Sequence, residues 1–391
     1  MKHVDSEDLL LIREVLKAFQ EGYSLRDAGG AESFVDELYS TQDNTYVLGT
    51  GTGELFIGRD RIIELISDDW SYWGDVRLEL DHPHIVIEHE TAWVTVQGSV
   101  KYSFEDTPAR YDSYLNFIKK KLEDQELSAE QKLTFLNWAL MLTYHQREDK
   151  KRDYLWPLCL TGVLKKAEGK WKFVQQHFSI CVADYPDERF EVSDEHRKAY
   201  HNQNYLASES KINQITEEDK LFLKTFEKSL FGQSNIDDKD LNKMLPNQNE
   251  VLVIGPDHTI YSEREQLKSY FSGFKGCKLS LTTEHSIVIK NENFTWITVT
   301  GIMEQDMEKQ VQFEETLELL RSLTECEATS KDKIFMVQRR IAYLLKEISS
   351  GNHYTYPLRF SFVLSGTDGK RGIRQLHISY PSYWIFEGKL N

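Results

Sequence analysis

Trp93-Val94-Thr95-Val96-Gln97-Gly98 returns 203 positions later as Trp296-Ile297-Thr298-Val299-Thr300-Gly301. Internal repeats set the architecture of a chain, so the rest of the sequence is best read outward from this pair. Downstream, Tyr154-Leu155-Trp156-Pro157-Leu158 matches Tyr354-Thr355-Tyr356-Pro357-Leu358 at a spacing of 200. Gly169-Lys170, Gln175 and His177-Phe178-Ser179 match Gly369-Lys370, Gln375 and His377-Ile378-Ser379 at that same spacing. Upstream, Phe56-Ile57-Gly58-Arg59 aligns with Ile260-Tyr261-Ser262-Glu263, 204 positions on. Matched blocks in constant order predict two copies of one unit, the first over 1–183 and the second, more divergent, over 216–391. The polar stretch 184–215 between them reads as a linker, part of it helical.

Each copy shows the same series of elements. Leu9, Leu10, Ile12, Leu16 and Phe19 recur at helical spacing, as do Leu221, Phe222, Phe226 and Leu230 in the second copy. A second helix over 31–39 follows, then short strands over 45–48 and 54–57 around Gly49-Thr50-Gly51-Thr52-Gly53. That glycine run lacks the Gly-Lys-Ser/Thr ending of a phosphate loop and reads as a hairpin turn. A helix over 59–70 leads to two long strands, 77–88 and 92–104. A helical insertion comes next, 111–122 with 129–147 in the first copy and 313–323 with 331–348 in the second. Two strands close each copy, and Ala167-Glu168-Gly169 and Thr367-Asp368-Gly369 are their hairpin turns. Helices followed by long antiparallel strands predict an α+β unit in which a curved sheet wraps around helices.

The 391 residues exceed one ordinary domain, and with 40% hydrophobic and 12% aromatic content they can build two packed cores. Against 63 Asp and Glu stand 47 Lys and Arg, a formal charge of −16 that disfavours nucleic acid and anionic membranes as partners. Lys119-Lys120-Lys121 lies in an amphipathic pattern beside Glu123 and Asp124 and reads as a solvated helix face. Acidic residues at Asp5, Glu7 and Asp8 replace the basic start of an export signal, and no apolar run is long enough to cross a bilayer. A soluble, cytoplasmic protein is expected. Cys159, Cys181, Cys277 and Cys326 are too scattered for a metal or disulfide pattern and read as free thiols. His82 and His84 would share a strand face but have no third ligand in view. No metal or organic cofactor is demanded.

The phrases Leu48-Gly49-Thr50-Gly51, Glu54-Leu55-Phe56-Ile57-Gly58-Arg59, Ala92-Trp93-Val94 and Gly169-Lys170-Trp171-Lys172-Phe173, ending in His177-Phe178-Ser179, resemble the SnoaL-like members of the nuclear transport factor 2-like superfamily. The resemblance covers most of 7–180 and, more weakly, 217–381. It implies cone-shaped domains in which a curved sheet and helices enclose a conical pocket, to which the last strand contributes side chains. The second copy departs from the pattern at Val253-Ile254-Gly255-Pro256 and at Arg371, where the first has Trp171. Both copies carry the helical insertion before the last two strands.

Strand alternation then groups His177 with Gln175, Phe173 and Ser179, and His377 with Gln375 and Ser379. His177 is the first candidate for acid–base chemistry, because a neutral imidazole exchanges protons near pH 7. Trp93 and Trp296 could stack on a planar ligand, and Tyr46 lies on a strand expected nearby. Asp43 and Glu54 are acidic partners by analogy with the resembling fold only. Each residue also has a purely structural role open to it.

Three functions remain open. The leading one is a noncatalytic small-molecule pocket or scaffold protein, a monomer in which the two copies pack as an internal pseudo-dimer. The second is an isomerase, dehydratase or hydrolase using His177, which requires a carboxylate or Tyr46 within hydrogen-bond reach of it. The third is an interaction module using the helical insertions, whose Leu133, Phe135, Leu136, Trp138, Leu140 and Leu142 cover more than one stripe.

Overall fold

The computed structural model describes residues 6–72, 74–105, 108–144, 151–182, 189–190, 194–210, 212, 214–233, 236–245, 251–291, 293–366 and 371–382. The expected turn Thr367-Asp368-Gly369 and the acidic Asp5 lie outside the described residues.

The first half runs α1 (Ser6–Leu25), α2 (Ala31–Leu38), β1 (Tyr46–Leu48), β2 (Leu55–Ile57), α3 (Arg59–Tyr72), β3 (Asp75–Leu78), β4 (His84–Glu88) and β5 (Thr91–Glu105). It continues through α4 (Pro108–Glu123), α5 (Ala129–Tyr144), β6 (Lys151–Ala167) and β7 (Lys170–Ile180). After α6 (Asp194–Glu209) the second half follows the same order: α7 (Glu217–Leu230), α8 (Asp238–Met244), β8 (Leu252–Ile254), β9 (Ile260–Tyr261), α9 (Arg264–Ser272), β10 (Lys278–Leu281), β11 (Ile287–Lys290) and β12 (Phe294–Asp306). Its last elements are α10 (Lys309–Glu325), α11 (Ser330–Ser349), β13 (His353–Ser365) and β14 (Gly372–Ser379).

The protein is α+β, with two seven-stranded sheets. The first is ordered β2-β1-β7-β6-β5-β3 with β4 also on β5, and the second is ordered β9-β8-β14-β13-β12-β10 with β11 also on β12. Strand for strand these orders are the same. Neither sheet is wholly antiparallel: β1 pairs parallel to β7, and β8 parallel to β14. The long excursion between the two partners lets the chain return in the same direction, which a tight hairpin cannot do.

Helices fill the concave side of each sheet. Ile12, Leu16 and Phe19 of α1, fully buried, meet Val94, Leu160 and Phe178 of the strands in one core. Phe19 stacks on Phe178 at 5.9 Å, and Trp70 stands edge-on to Tyr23 and Phe34. In the second core Phe226 of α7 stands edge-on to Phe271, Phe360 and Phe362. Aromatic rings thus occupy the cone of each half. Trp171 Nε1 donates to Asp8 at 2.9 Å in the first turn of α1. Its divergent counterpart Arg371 makes the analogous bond, to Asp219 in the first turn of α7. The helix start is tied to the last strand in both halves, with different chemistry.

The sequence predicts one strand over 77–88, where the structure has two. Pro83 removes a ladder donor, and the chain turns at 80–82 before β4 resumes on β5 in a different register. His82 therefore lies in the turn and only His84 in the strand. The turn closing β6 to β7 is as predicted: Glu168 and Gly169 have φ of 53° and 78°, the positive pair that a two-residue hairpin needs.

Within the stretch read as a linker, α6 is packed rather than extended, with His196, Tyr200, Gln203, Asn204 and Ala207 buried. The helical insertions form as pairs, and α5 of the first lies along α11 of the second. Cys159, Cys181, Cys277 and Cys326 are free thiols. No helix among the described residues is long and apolar enough to cross a membrane.

Candidate functional site

Seven of the residues singled out in the sequence, Tyr46, Trp93, Gln175, His177, Trp296, Gln375 and His377, come to one surface, the seam where the outer faces of the two sheets meet. It is not the cone interior. Alternation along β7 sends Gln176 and Phe178 inward, where Tyr39 Oη donates to Gln176 Oε1 at 2.5 Å, and turns Gln175, His177 and Ser179 outward toward the second sheet. Phe173 departs from the expected grouping with His177. A bulge opposite Val163 and Leu164 leaves Val174 as an extra residue, which shifts the alternation and places Phe173 in the inner core.

At the centre of the seam the imidazoles of His177 and His377 stack, 4.0 Å between centroids and 28° between planes. Both side chains are fully buried. Their hydrogen bonds are reciprocal. His177 Nδ1 pairs with Ser361 Oγ at 2.9 Å and Nε2 with Ser379 Oγ at 2.8 Å. His377 Nδ1 pairs with Thr161 Oγ1 at 2.9 Å and Nε2 with Ser179 Oγ at 2.9 Å. Thr161 opposes His177 in the first sheet and Ser361 opposes His377 in the second. Each histidine therefore uses the other half's hydroxyls, the pattern of a twofold contact.

A neutral imidazole has one donor and one acceptor, and two hydroxyls satisfy both. Burial holds His177 well below the usual imidazole range, helped by His377, Arg359 and His258. Burial, followed by His258, pushes His377 down to about 3. His258, whose Nε2 lies 2.9 Å from Ser179 Oγ, is pushed down to about 4 by burial. The centre of the seam is a neutral, hydrogen-bonded cluster at physiological pH.

Four other candidates, Tyr46, Gln375, Trp93 and Trp296, make contacts across the seam. Tyr46 Oη lies 2.8 Å from Thr298 Oγ1, which in turn lies 3.2 Å from Ser361 Oγ. Gln375 Nε2 donates to the Val94 carbonyl at 3.3 Å. Trp93 packs on Phe294 at 5.2 Å, and Trp296 lies beneath the Lys165 ammonium. Gln175, Tyr46 and Trp296 line a cavity of about 10 Å³. Asp43 sits exposed in a turn. Glu54 accepts the Gly51 amide at 2.5 Å within its own hairpin.

Sequence reading missed several contributors. Arg359, 1% exposed, donates to the carbonyls of Gly49 and Gly51 and to Gln203 Oε1 at 2.6 Å. The glycine-rich hairpin is thus a docking loop for the second half. Its close-packed glycines suit that role, since a Cβ on Gly49 would come within 2.4 Å of Glu54 Oε2. Arg374, the bulge residue of β14, reaches Glu88 at 2.7 Å, and Asn204 of α6 accepts from Thr300 at 2.6 Å. Arg359 faced Cys159 in the repeat alignment, so nothing in the first copy announced it.

Residues 12–118 match the SnoaL-like domain family. The match lies wholly within the first half. Solved structures similar to the chain include a protein described as a dehydratase of the NTF2-like family from Streptomyces avermitilis, at 13% identity and a TM-score of 0.31 over 46% of this chain and 99% of the other. A superfamily member from Salmonella enterica matches at 11% identity and a TM-score of 0.29, over 44% and 91%. A ketosteroid isomerase-like protein from Erwinia carotovora matches at 12% identity and a TM-score of 0.27, over 45% and 98%. No curated protein matches the chain.

Proposed function

We propose that the chain is a noncatalytic scaffold made of two SnoaL-like units, 1–183 and 216–391, fused through a packed segment into an internal pseudo-dimer. The reciprocal bonding of His177 and His377 carries this reading: a pair of hydroxyls from the opposite half saturates each ring, leaving neither nitrogen for a substrate. Fusion replaces concentration-dependent pairing with a high effective concentration, so the chain is monomeric in solution. An acid–base role for His177 would need a carboxylate or Tyr46 beside it, whereas Tyr46 is bonded to Thr298.

The test is a thermal melt of the parent and of His177→Ala, each with and without steroids, polyketides and small carboxylic acids. A saturating ligand at about 100 times its dissociation constant would add about 2.7 kcal/mol. The scaffold reading predicts that no compound shifts the parent and that the variant melts lower. A compound that stabilises the parent and not the variant would establish a ligand pocket lined by His177.

A second reading is supported by the helical insertions. Ile334, Ile341 and Leu345 share one face of α11 and are 65%, 41% and 44% exposed, and Phe313 and Leu317 are exposed on α10. An apolar stripe of this kind suits a protein-interaction surface. Replacing Ile334 and Ile341 with Ser should leave the melting point nearly unchanged if they serve only a partner; a large drop would assign them to the fold.

A further inference from the structure

The two sheets border a small cavity whose wall mixes both halves, with Tyr46, Thr161 and Gln175 from the first and Trp296, Ser361 and Gln375 from the second beside apolar neighbours. Three of these side chains bring a buried polar atom without a protein partner, namely Gln175 Nε2, Trp296 Nε1 and Gln375 Oε1. Gln175 and Gln375 are 4% and 3% exposed and Trp296 2%. The amide of Gln375 is oriented by its other end, which donates to the Val94 carbonyl, so its oxygen is the atom left over.

Leaving such groups unpaired in a buried site costs about 1–3 kcal/mol each. Two are donors and one is an acceptor. A molecule that accepts two hydrogen bonds and donates one satisfies all three, and at about 10 Å³ the space admits one molecule of water's size and nothing larger. The hydroxyls of Tyr46, Thr298 and Ser361, which also line the cavity, are already joined to one another.

We infer that this cavity is a binding site for a single ordered water, which accepts from Gln175 Nε2 and Trp296 Nε1 and donates to Gln375 Oε1. The site depends on the divergence of the halves. Tyr46 pairs with Gln175 in the first sheet, and at the corresponding place in the second Leu252 pairs with Gln375. A phenol that reaches across to Thr298 therefore exists on one side of the seam alone, and the seam is wet on that side. The water stitches the two halves with three bonds that neither could satisfy by itself.

The deciding experiment is a high-resolution crystal structure of the full chain, joined to water-to-protein Overhauser measurements on the Trp296 indole N–H, assigned with Trp296→Phe. The expected result is one solvent peak within about 2.7–3.2 Å of all three atoms, and a cross-peak from the indole proton to a long-lived water. Resolved side chains with no peak between them, or an indole proton that sees only protein, would overturn the inference.

Discussion

His177 and His377, 200 residues apart in the chain, stack within 4.0 Å of each other where the two sheets meet. Their reciprocal bonds to Ser361, Ser379, Thr161 and Ser179 tie the two halves together across the seam. The consequences for stability follow from its being polar, neutral and buried at the centre.

Acid should open the protein. His177, His258 and His377 are held neutral when folded, while the unfolded chain protonates them below about 6.5. The unfolded state then binds more protons, so stability falls as pH drops from about 6.5 toward the folded values, about 4 for His258 and about 3 for His377. The slope is of order 1 kcal/mol per histidine per pH unit. Urea unfolding at neutral and mildly acidic pH measures it, and the His177→Asn variant should show a shallower loss.

The two histidines should be energetically coupled. His177→Ala and His377→Ala each leave two buried hydroxyls without their partner and open a void, for about 2–5 kcal/mol apiece. Because they touch, the double variant should lose less than the two losses added. A double-mutant cycle by denaturant unfolding gives the difference; strict additivity would separate the rings.

Arg359 should matter more than any surface charge. Arg359→Met leaves the Gly49 and Gly51 carbonyls without their donor, at a cost of about 3 kcal/mol. Hydrogen exchange should then quicken in the glycine-rich hairpin and at Gln203 more than in the core around Phe19.

Repeat-equivalent glycines should differ in tolerance. A Cβ at Gly98 would stand 2.2 Å from the Arg77 carbonyl oxygen, which is backbone. At Gly301 the nearest atom, 2.9 Å away, is the flexible Cδ2 of Leu281. Gly98→Ala should cost about 1–3 kcal/mol, and Gly301→Ala less, as compared by melting.

The repeat was readable because sheet residues recur in blocks: Trp93 and Trp296, His177 and His377 each named the other. The order of elements along the chain and the hairpin turn at Glu168-Gly169 followed from pattern and turn chemistry, whereas the parallel pairings of β1 with β7 and β8 with β14 did not. What alternation could not supply was which face looks outward. One extra residue at Val174 reverses the pattern, so Phe173 and His177 part company, and packing of one sheet on another leaves no periodic trace. Arg359 and the α6 residues His196, Gln203 and Asn204 were invisible for a related reason: their partners, among them Gly49, Gly51, Thr52, Gly53 and Thr300, are distant in sequence, and no local spacing encodes them. Tyr46, Trp93, Gln175, His177, Trp296, Gln375 and His377 all lie along the seam, a surface that alternation alone does not distinguish from a pocket.

The most direct test of a sealed intramolecular seam is the NMR titration of the imidazole Cε1–H signals of His177 and His377 in the intact chain. If the seam is closed, both signals stay fixed between about pH 8 and about pH 5. Titration of either buried ring near 6.5 would place it in contact with water and contradict the account.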